Sequence, residues 1–250
     1  MAGALEIRGL LKQFGGTWAV DKLDLTVPCG EFHALLGPNG AGKTTTLRIV
    51  AGLTPADAGS VRVLGHDIAT EPLEAKRVLA FLPDDPLLYG RLDAWEYLEF
   101  VAGLWRIDPQ AARATAQALL ATLDLLDKAG ARIEGYSRGM RQKLALAGAL
   151  IHDPEVMILD EPLTGLDAAA ARQVKDILRG RVRDGKTVIL TTHILEVAER
   201  LAERISIIAR GRIVAQGTLG ELRASAGRGD TLEDVFLEIT AGGAGADAPA

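Results

Sequence analysis

The stretch Leu35–Leu47, LLGPNGAGKTTTL, restricts the fold more than any other part of the chain. Gly37, Gly40, Gly42, Lys43 and Thr44 fall at the spacing G-x-x-x-x-G-K-T. Glycines at these positions let the backbone turn tightly and bring successive N–H groups against an anion. The run Gly37, Pro38, Asn39, Gly40, Ala41, Gly42, Lys43, Thr44 and Thr45 is therefore expected to wrap nucleotide phosphates. Lys43 would reach the β- and γ-phosphates, and the Thr44 hydroxyl would ligate Mg²⁺. A helix starting near Gly42 aims its positive end at the same anion. The flanks agree: His33 to Leu36 suit the end of a buried strand, and Thr45 to Ala51 suit a helix stopped at Gly52.

Composition excludes several alternatives. The chain has 250 residues, enough for one large domain or a core with an inserted subdomain. Its formal charge is −5, so no basic field calls for nucleic acid. No apolar run approaches the roughly 18 residues needed to span a bilayer. Met1 to Lys12 carries Glu6 and Arg8 and lacks a signal-peptide core, and Cys29 is the only cysteine. A cytoplasmic location is expected, with Cys29 a bland turn residue in Pro28-Cys29-Gly30.

Along the chain, Leu5 to Leu11 reads as a first strand followed by a loop over 12–16, and Ala19 to Val27 as a second strand. Ser60 to Leu64 and Val78 to Leu82 are further strands, the latter ending in the loop Pro83-Asp84-Asp85-Pro86. Asp93 to His152 is almost all helix former. Asp93 with Glu96 forms a capping box, and Trp95, Leu98, Ala102 and Trp105 recur at helical spacing. Asp108-Pro109 opens a second helix, with Ala118, Leu119, Thr122, Leu125 and Leu126 as its apolar face. Ser137 opens a third, with Met140, Leu144, Ala147 and Ile151 inward. The block reads as a helical insertion, over about 87–152, between two α/β halves. Strands then follow at Val156–Leu159, Thr187–Thr191 and a hairpin about Arg210-Gly211, with helices between. Thr218 with Glu221 caps another helix, Thr231 begins a last one, and residues 241–250 read as a disordered tail.

Three places carry chemistry besides the loop. The apolar strand Val156–Leu159 aims Asp160 at its C-terminal edge, where ligands sit in parallel α/β sheets. Asp160 would hold Mg²⁺ through a water, and Glu161 would orient or deprotonate an attacking water. His193 lies at the end of another apolar strand; it either bonds the γ-phosphate or merely begins the next helix. Phe14 either stacks on a base or closes a strand end.

On these motifs the chain resembles the nucleotide-binding subunits of ATP-binding cassette (ABC) transporters, over about Leu5 to Thr240. The phosphate loop Gly37–Thr44, Tyr136-Ser137-Arg138-Gly139-Met140-Arg141-Gln142, Val156–Glu161, Gly165-Leu166-Asp167 and Thr192-His193 stand in the family's order. Thr231 to Phe236 resembles the tail of exporter ATPases made apart from their permeases. The resemblance implies an α/β fold: a phosphate-loop (RecA-like) core, an N-terminal antiparallel β subdomain and an inserted α-helical subdomain, all in one ATPase domain over 1–240. It implies ATP and Mg²⁺ as cofactors, a second nucleotide-binding subunit and an integral-membrane permease chain as partners, and a peripheral place on the inner face of the membrane. Phe14 and His193 become site residues by the same resemblance. Ser137 and Gly139 of one chain would cap the γ-phosphate held by Lys43 of the other, and Asp167 would help join the pair. Two residues depart from the family's pattern. Arg138 replaces a glycine, which is tolerable if its side chain points away from the nucleotide. Asp84 replaces a glutamine that senses Mg²⁺ and touches the permease, and as a metal-side carboxylate it would make hydrolysis more dependent on Mg²⁺. The rival readings are a soluble ABC ATPase acting on the ribosome or DNA, and a GTPase or kinase; no N-K-x-D motif supports the latter.

Overall fold

The computed structural model describes residues 3–225, 232–234 and 236–237. The expected start of the last helix at Thr231 and the expected tail over 241–250 lie outside the described residues. The N-terminal part is an antiparallel sheet. β1 (Leu5–Phe14) pairs with β2 (Thr17–Val27), and the first strand runs three residues past the expected end at Leu11. Gly15 and Gly16, both at positive φ, form a tight two-residue turn whose twist lets the ladder continue to its tip. Asp57 pins the extension: its carboxylate accepts from Lys12 Nζ at 2.8 Å and from the Gln13 N–H at 2.7 Å. Burial alternates from Leu5 to Ile7, and an irregularity at Gly9, at φ 53, shifts the phase so that Leu10 also enters the core while Arg8 stays outside.

β3 (Phe32–Leu36) is buried at every residue and feeds α1 (Lys43–Val50), which starts next to Gly42 as expected. β4 (Ala58–Val63) pairs with β1, and β5 (His66–Asp67) completes the antiparallel sheet in the order β2-β1-β4-β5. α2 (Pro72–Arg77) and β6 (Leu79–Leu82) lead to the helical block. That block contains α3 (Ala94–Leu104), α4 (Pro109–Thr122) and α5 (Arg138–Leu150). All three starts are capped as expected: Asp93 and Glu96 form the reciprocal pair, Asp108 accepts from Gln110 and Ala111, and the Ser137 hydroxyl accepts from the Met140 N–H.

One helical face differs from the expectation. Ala112, Ala116, Leu120 and Leu123 are buried along α4 and its end; of the expected face Leu125 is buried and Leu119 packs partly buried, whereas Ala118, Thr122 and Leu126 are exposed. The run ALLATLDLL contains two apolar rows, and alanine does not discriminate between them. The row at spacing 4, 4 and 3 follows the 3.6-residue period and meets α3 and α5. Trp95 and Trp105 pack partly buried against this cluster.

β7 (Val156–Asp160), α6 (Ala168–Arg183), β8 (Thr187–Thr192), α7 (Leu195–Leu201), β9 (Arg204–Ala209), β10 (Arg212–Gly217) and α8 (Leu219–Ser225) complete the described elements. The second sheet has the order β10-β9-β3-β8-β7-β6, parallel except for its edge strand β10. Its central strands are apolar on both faces because both are covered. Met157 and Leu159 face the helical block, while Val156 and Ile158 face α1 and the antiparallel sheet. The architecture is thus mixed α/β, with a parallel core sheet, an N-terminal antiparallel sheet and a helical insert. All five parallel strands end on one edge, which receives the phosphate loop after β3, the 83–86 loop after β6, Asp160-Glu161 after β7 and His193 after β8.

Candidate nucleotide site

Close backbone approach explains the glycines of the loop. A Cβ on Gly37 would lie 2.4 Å from the Ile208 carbonyl, and one on Gly42 would lie 2.4 Å from the Ala19 carbonyl. The loop is wedged between β9 and β2, and Gly42, at φ 105, turns it into α1. The Gly211 N–H donates to the Ala41 carbonyl at 2.9 Å, fixing the loop from the β9–β10 hairpin as well.

A cavity of about 250 Å³ opens over this loop. Pro38, Asn39, Gly40, Ala41, Gly42, Lys43, Thr44 and Thr45 line it on one side, and Asp84, Asp160 and Glu161 on the other. Three sequence segments expected to meet at a nucleotide therefore do meet. Lys43 is 7% exposed, and its ammonium donates to the Gly37 carbonyl at 2.6 Å and the Pro38 carbonyl at 3.2 Å. Burial pushes the ammonium below its ordinary value, while the Glu161 and Asp160 carboxylates pull it back up. A phosphate entering the cavity would replace the two carbonyls as the partner of this cation.

Asp160 is buried and accepts from the Thr191 hydroxyl at 2.5 Å. The same Thr191 oxygen accepts the Glu161 N–H at 3.0 Å. One hydroxyl therefore orients both acids, a role the sequence reading missed; two threonines before a histidine at a strand edge were the available signal. Glu161 sits at φ 49, in the left-handed region that a non-glycine residue seldom occupies. Such strain persists where the surroundings over-determine it, and here the turn aims the carboxylate along the cavity wall. His193 Nδ1 lies 2.9 Å from Glu161 Oε1, so the histidine reaches the cavity through the glutamate. Thr192 Oγ1 accepts from the Ile194 N–H and holds that turn. Ala19, another lining residue that the sequence reading missed, carried no chemical signal.

The remaining candidates lie elsewhere. Phe14, at the tip of β1, is 54% exposed with Lys12 Nζ 5.3 Å above its ring, and it does not line the cavity. Ser137 and Gly139 are at the N-terminal end of α5, with Ser137 exposed, and neither lines the cavity of its own chain. A Cβ on Gly139 would meet nothing closer than Leu166 at 3.5 Å, so packing within the chain does not require glycine there. Asp167 caps α6, accepting from the Ala170 N–H at 2.8 Å. Arg138 turns toward Asp84, 3.7 Å away.

The acids suit Mg²⁺. Among the described residues no cluster of three or more His, Cys, Asp or Glu could enclose a metal alone. Mg²⁺ keeps waters and substrate phosphates and takes one or two carboxylates. The Thr44 hydroxyl, Asp160 and Asp84 around one phosphate-sized cavity provide such a set.

Beside this cavity runs a larger groove of about 690 Å³, between the core and the helical block. Residues 79–88 form one wall, and Tyr97, Val101 and Trp105 the other. The two cavities share Thr44, Asp84 and Asp160.

The comparisons with known proteins agree with this geometry. The family described as "ABC transporter" matches residues 20–164. The daunorubicin resistance ATP-binding protein DrrA3 of Streptomyces coeruleorubidus is 42% identical over 94% of this chain and 74% of its own length. The Nod factor export ATP-binding protein I of Burkholderia lata is 39% identical over 85% of this chain and 70% of its own. A solved structure described as the ATP-binding subunit of an ABC transporter superposes with a TM-score of 0.89 at 31% identity, covering 95% of this chain and 99% of that one. With the phosphate loop, the paired acids and the helical insert all in place, the chain belongs to the ABC transporter family and is one of its ATP-binding subunits, an ATPase.

Proposed function

We propose that this chain is the motor of a membrane exporter, as one ATPase domain over residues 1–240 on the inner face of the membrane. The observation that carries the reading is the junction of the two cavities at Thr44, Asp84 and Asp160. Whatever the phosphates do to these three residues is felt at once in the groove. The groove takes an apolar segment of an integral-membrane permease chain. Leu87, 93% exposed, and Leu53 and half-buried Trp105 offer it apolar contact. Among the described residues no helix is long and apolar enough to cross a membrane; in this reading the permease chain supplies the spans. The names of the relatives, for daunorubicin resistance and Nod factor export, point to a bulky organic cargo.

In this reading Lys43, the loop N–H groups and the start of α1 hold the β- and γ-phosphates of ATP. Mg²⁺, held by Thr44 and Asp160 with Asp84 at its side, supplies charge neutralisation at the phosphates when bound. Glu161 takes the proton of the attacking water, and His193 holds its carboxylate in place and bonds the γ-phosphate. Two chains close head to tail. Ser137 and Gly139 of each bring the α5 N-terminus to the nucleotide of the other. A glycine that its own chain does not require at 139 supports this close approach from outside. Phe14, at the strand tip, stacks on the adenine, and Asp167 helps hold the two chains together.

The Glu161→Gln variant separates binding from chemistry. It is expected to bind ATP with ordinary affinity, lose about 10²- to 10⁴-fold in turnover, and run as a long-lived dimer in gel filtration with ATP. Turnover near that of the wild type would remove Glu161 as the base. A variant that stays monomeric with ATP bound would remove the paired-chain mechanism.

A further inference from the structure

Arg138 and Asp84 are 54 positions apart in sequence and meet in space. Arg138 Nη2 lies 3.7 Å from Asp84 Oδ1. The guanidinium reaches the acid by crossing Gly165: a Cβ there would lie 2.9 Å from Arg138 Cδ and Nε. Gly165, at φ 78, thus provides the path as well as the turn before α6. Arg138 is the first residue of α5, where a cation opposes the helix dipole, and no acid occupies that first turn. Asp84 is the counter-charge that compensates this placement. On its other side Asp84 lines the phosphate cavity together with Asp160 and Glu161, so three carboxylates there face one lysine.

We infer that Arg138 is a positioning residue that holds Asp84, and with it the 83–86 loop, against α5 until metal-bound nucleotide draws the carboxylate into the cavity. The inference rests on the nucleotide and metal assignment of the proposed function. Both side chains are about half exposed, so the pair adds little stability and exchanges readily. That weakness suits a competition: one carboxylate has two cations to choose between, a guanidinium outside and a divalent metal inside. Its release frees the 83–86 loop, which is also a wall of the groove, and leaves the guanidinium at the exposed end of α5 beside Ser137 and Gly139. Metal arrival in one chain is thereby linked to the groove and to the helix end that meets the second chain's nucleotide. The two residues act as one unit: Asp84 alone would leave the cavity with an uncompensated acid, and Arg138 alone would leave a cation against a helix N-terminus.

The test is a double-mutant cycle on metal affinity, read by fluorescence of a non-hydrolysable ATP analogue titrated with Mg²⁺. Arg138→Gln removes the competitor and is expected to lower the Mg²⁺ needed for half-saturation by about two- to fivefold, the range of an exposed ion pair. Arg138→Lys keeps the charge and should stay near the wild type. Asp84→Gln is expected to raise the requirement, and adding Arg138→Gln to it should change nothing further. An equal Arg138→Gln shift with and without Asp84, or no shift in either, overturns the inference while leaving nucleotide binding intact. A wild-type protein that takes up no analogue at any Mg²⁺ concentration refutes the underlying nucleotide assignment, and the inference with it.

Discussion

The two cavities of this protein touch, yet they are built in opposite ways. The phosphate cavity is made of backbone: glycines without room for a Cβ, a loop bonded to its neighbours, and a strained turn at Glu161 held by Thr191. Its glycine loop has little freedom, as electrostatic work requires, because donors that are already in place need no reorganisation when charge arrives. The groove is made of side chains from the core and the helical block, with one long contact between them, His152 Nε2 to the Leu79 carbonyl at 3.4 Å. Leu87 stands in solvent, and Gly148 is what lets the Tyr97 hydroxyl approach α5, with a Cβ there only 2.7 Å away. One cavity is preorganised for a small anion. The other is lined mainly by apolar side chains of the core and the helical block. What joins them is a short seam, Thr44, Asp84 and Asp160, placed where three strands end.

Damage to one cavity should leave the other in place. The largest effect is expected from Lys43→Ala, which removes the only lysine lining the phosphate cavity among the described residues. ATP hydrolysis should fall by at least about 100-fold, the scale of removing one preorganised charge stabiliser, while the membrane partner still co-purifies. Hydrolysis within tenfold of the wild type would break the assignment, and loss of the partner would show that the groove depends on a filled cavity. Next comes Leu87→Asp, on the groove side. The side chain is 93% exposed, so stability should move by no more than about 0.5 kcal/mol and ATP hydrolysis by the isolated chain should be unchanged. Recovery of the membrane partner from solubilised membranes should drop about tenfold, a change of roughly 1.4 kcal/mol in association. Undiminished recovery would move the docking surface elsewhere.

The same contrast explains what could be read before the structure was seen. The phosphate cavity was legible because its chemistry is local: Gly37 to Thr45 form one continuous run, and Asp160-Glu161 follow an apolar strand that can end in only one place. Capping residues were legible for the same reason, since Asp93 and Glu96, or Ser137 alone, act within one helical turn. The groove was not legible. Its walls come from residues near 48, 82, 101 and 148, and no spacing connects them. The α4 face was mis-phased because alanine packs as readily as it faces water, so tertiary contact decided between two apolar rows. The Arg138–Asp84 pair had a weaker signal: each residue stood out against the family pattern by itself, but nothing in the chain order says that they touch.

The smallest expected effect lies on the floor of the groove. His152 stacks on Trp105 with ring centres 3.9 Å apart and planes 9° from parallel. Its Nε2 lies 3.4 Å from the Leu79 carbonyl, and its buried Nδ1 has no partner among the described residues. Burial pushes the imidazole below its ordinary value of 6.5; the Leu79 carbonyl and Asp153 oppose this and Arg181 adds to it. Neutral His152 is therefore favoured in the folded protein. The unfolded chain takes up the proton first, so stability is complete above pH 6.5 and declines as pH falls below 6.5 toward the lowered folded value. His152→Phe keeps a ring on Trp105 and cannot titrate. Melting temperatures at pH 7.5 and 5.5 should fall for the wild type and hold steady for this variant, because the carboxylates with lowered values, such as Asp57 beside Lys12, lose their stabilisation only nearer pH 4. Parallel declines in both proteins would place the acid sensitivity elsewhere. A difference confined to His152 would show that the groove, unlike the phosphate cavity, carries a titratable group whose neutral form its packing requires.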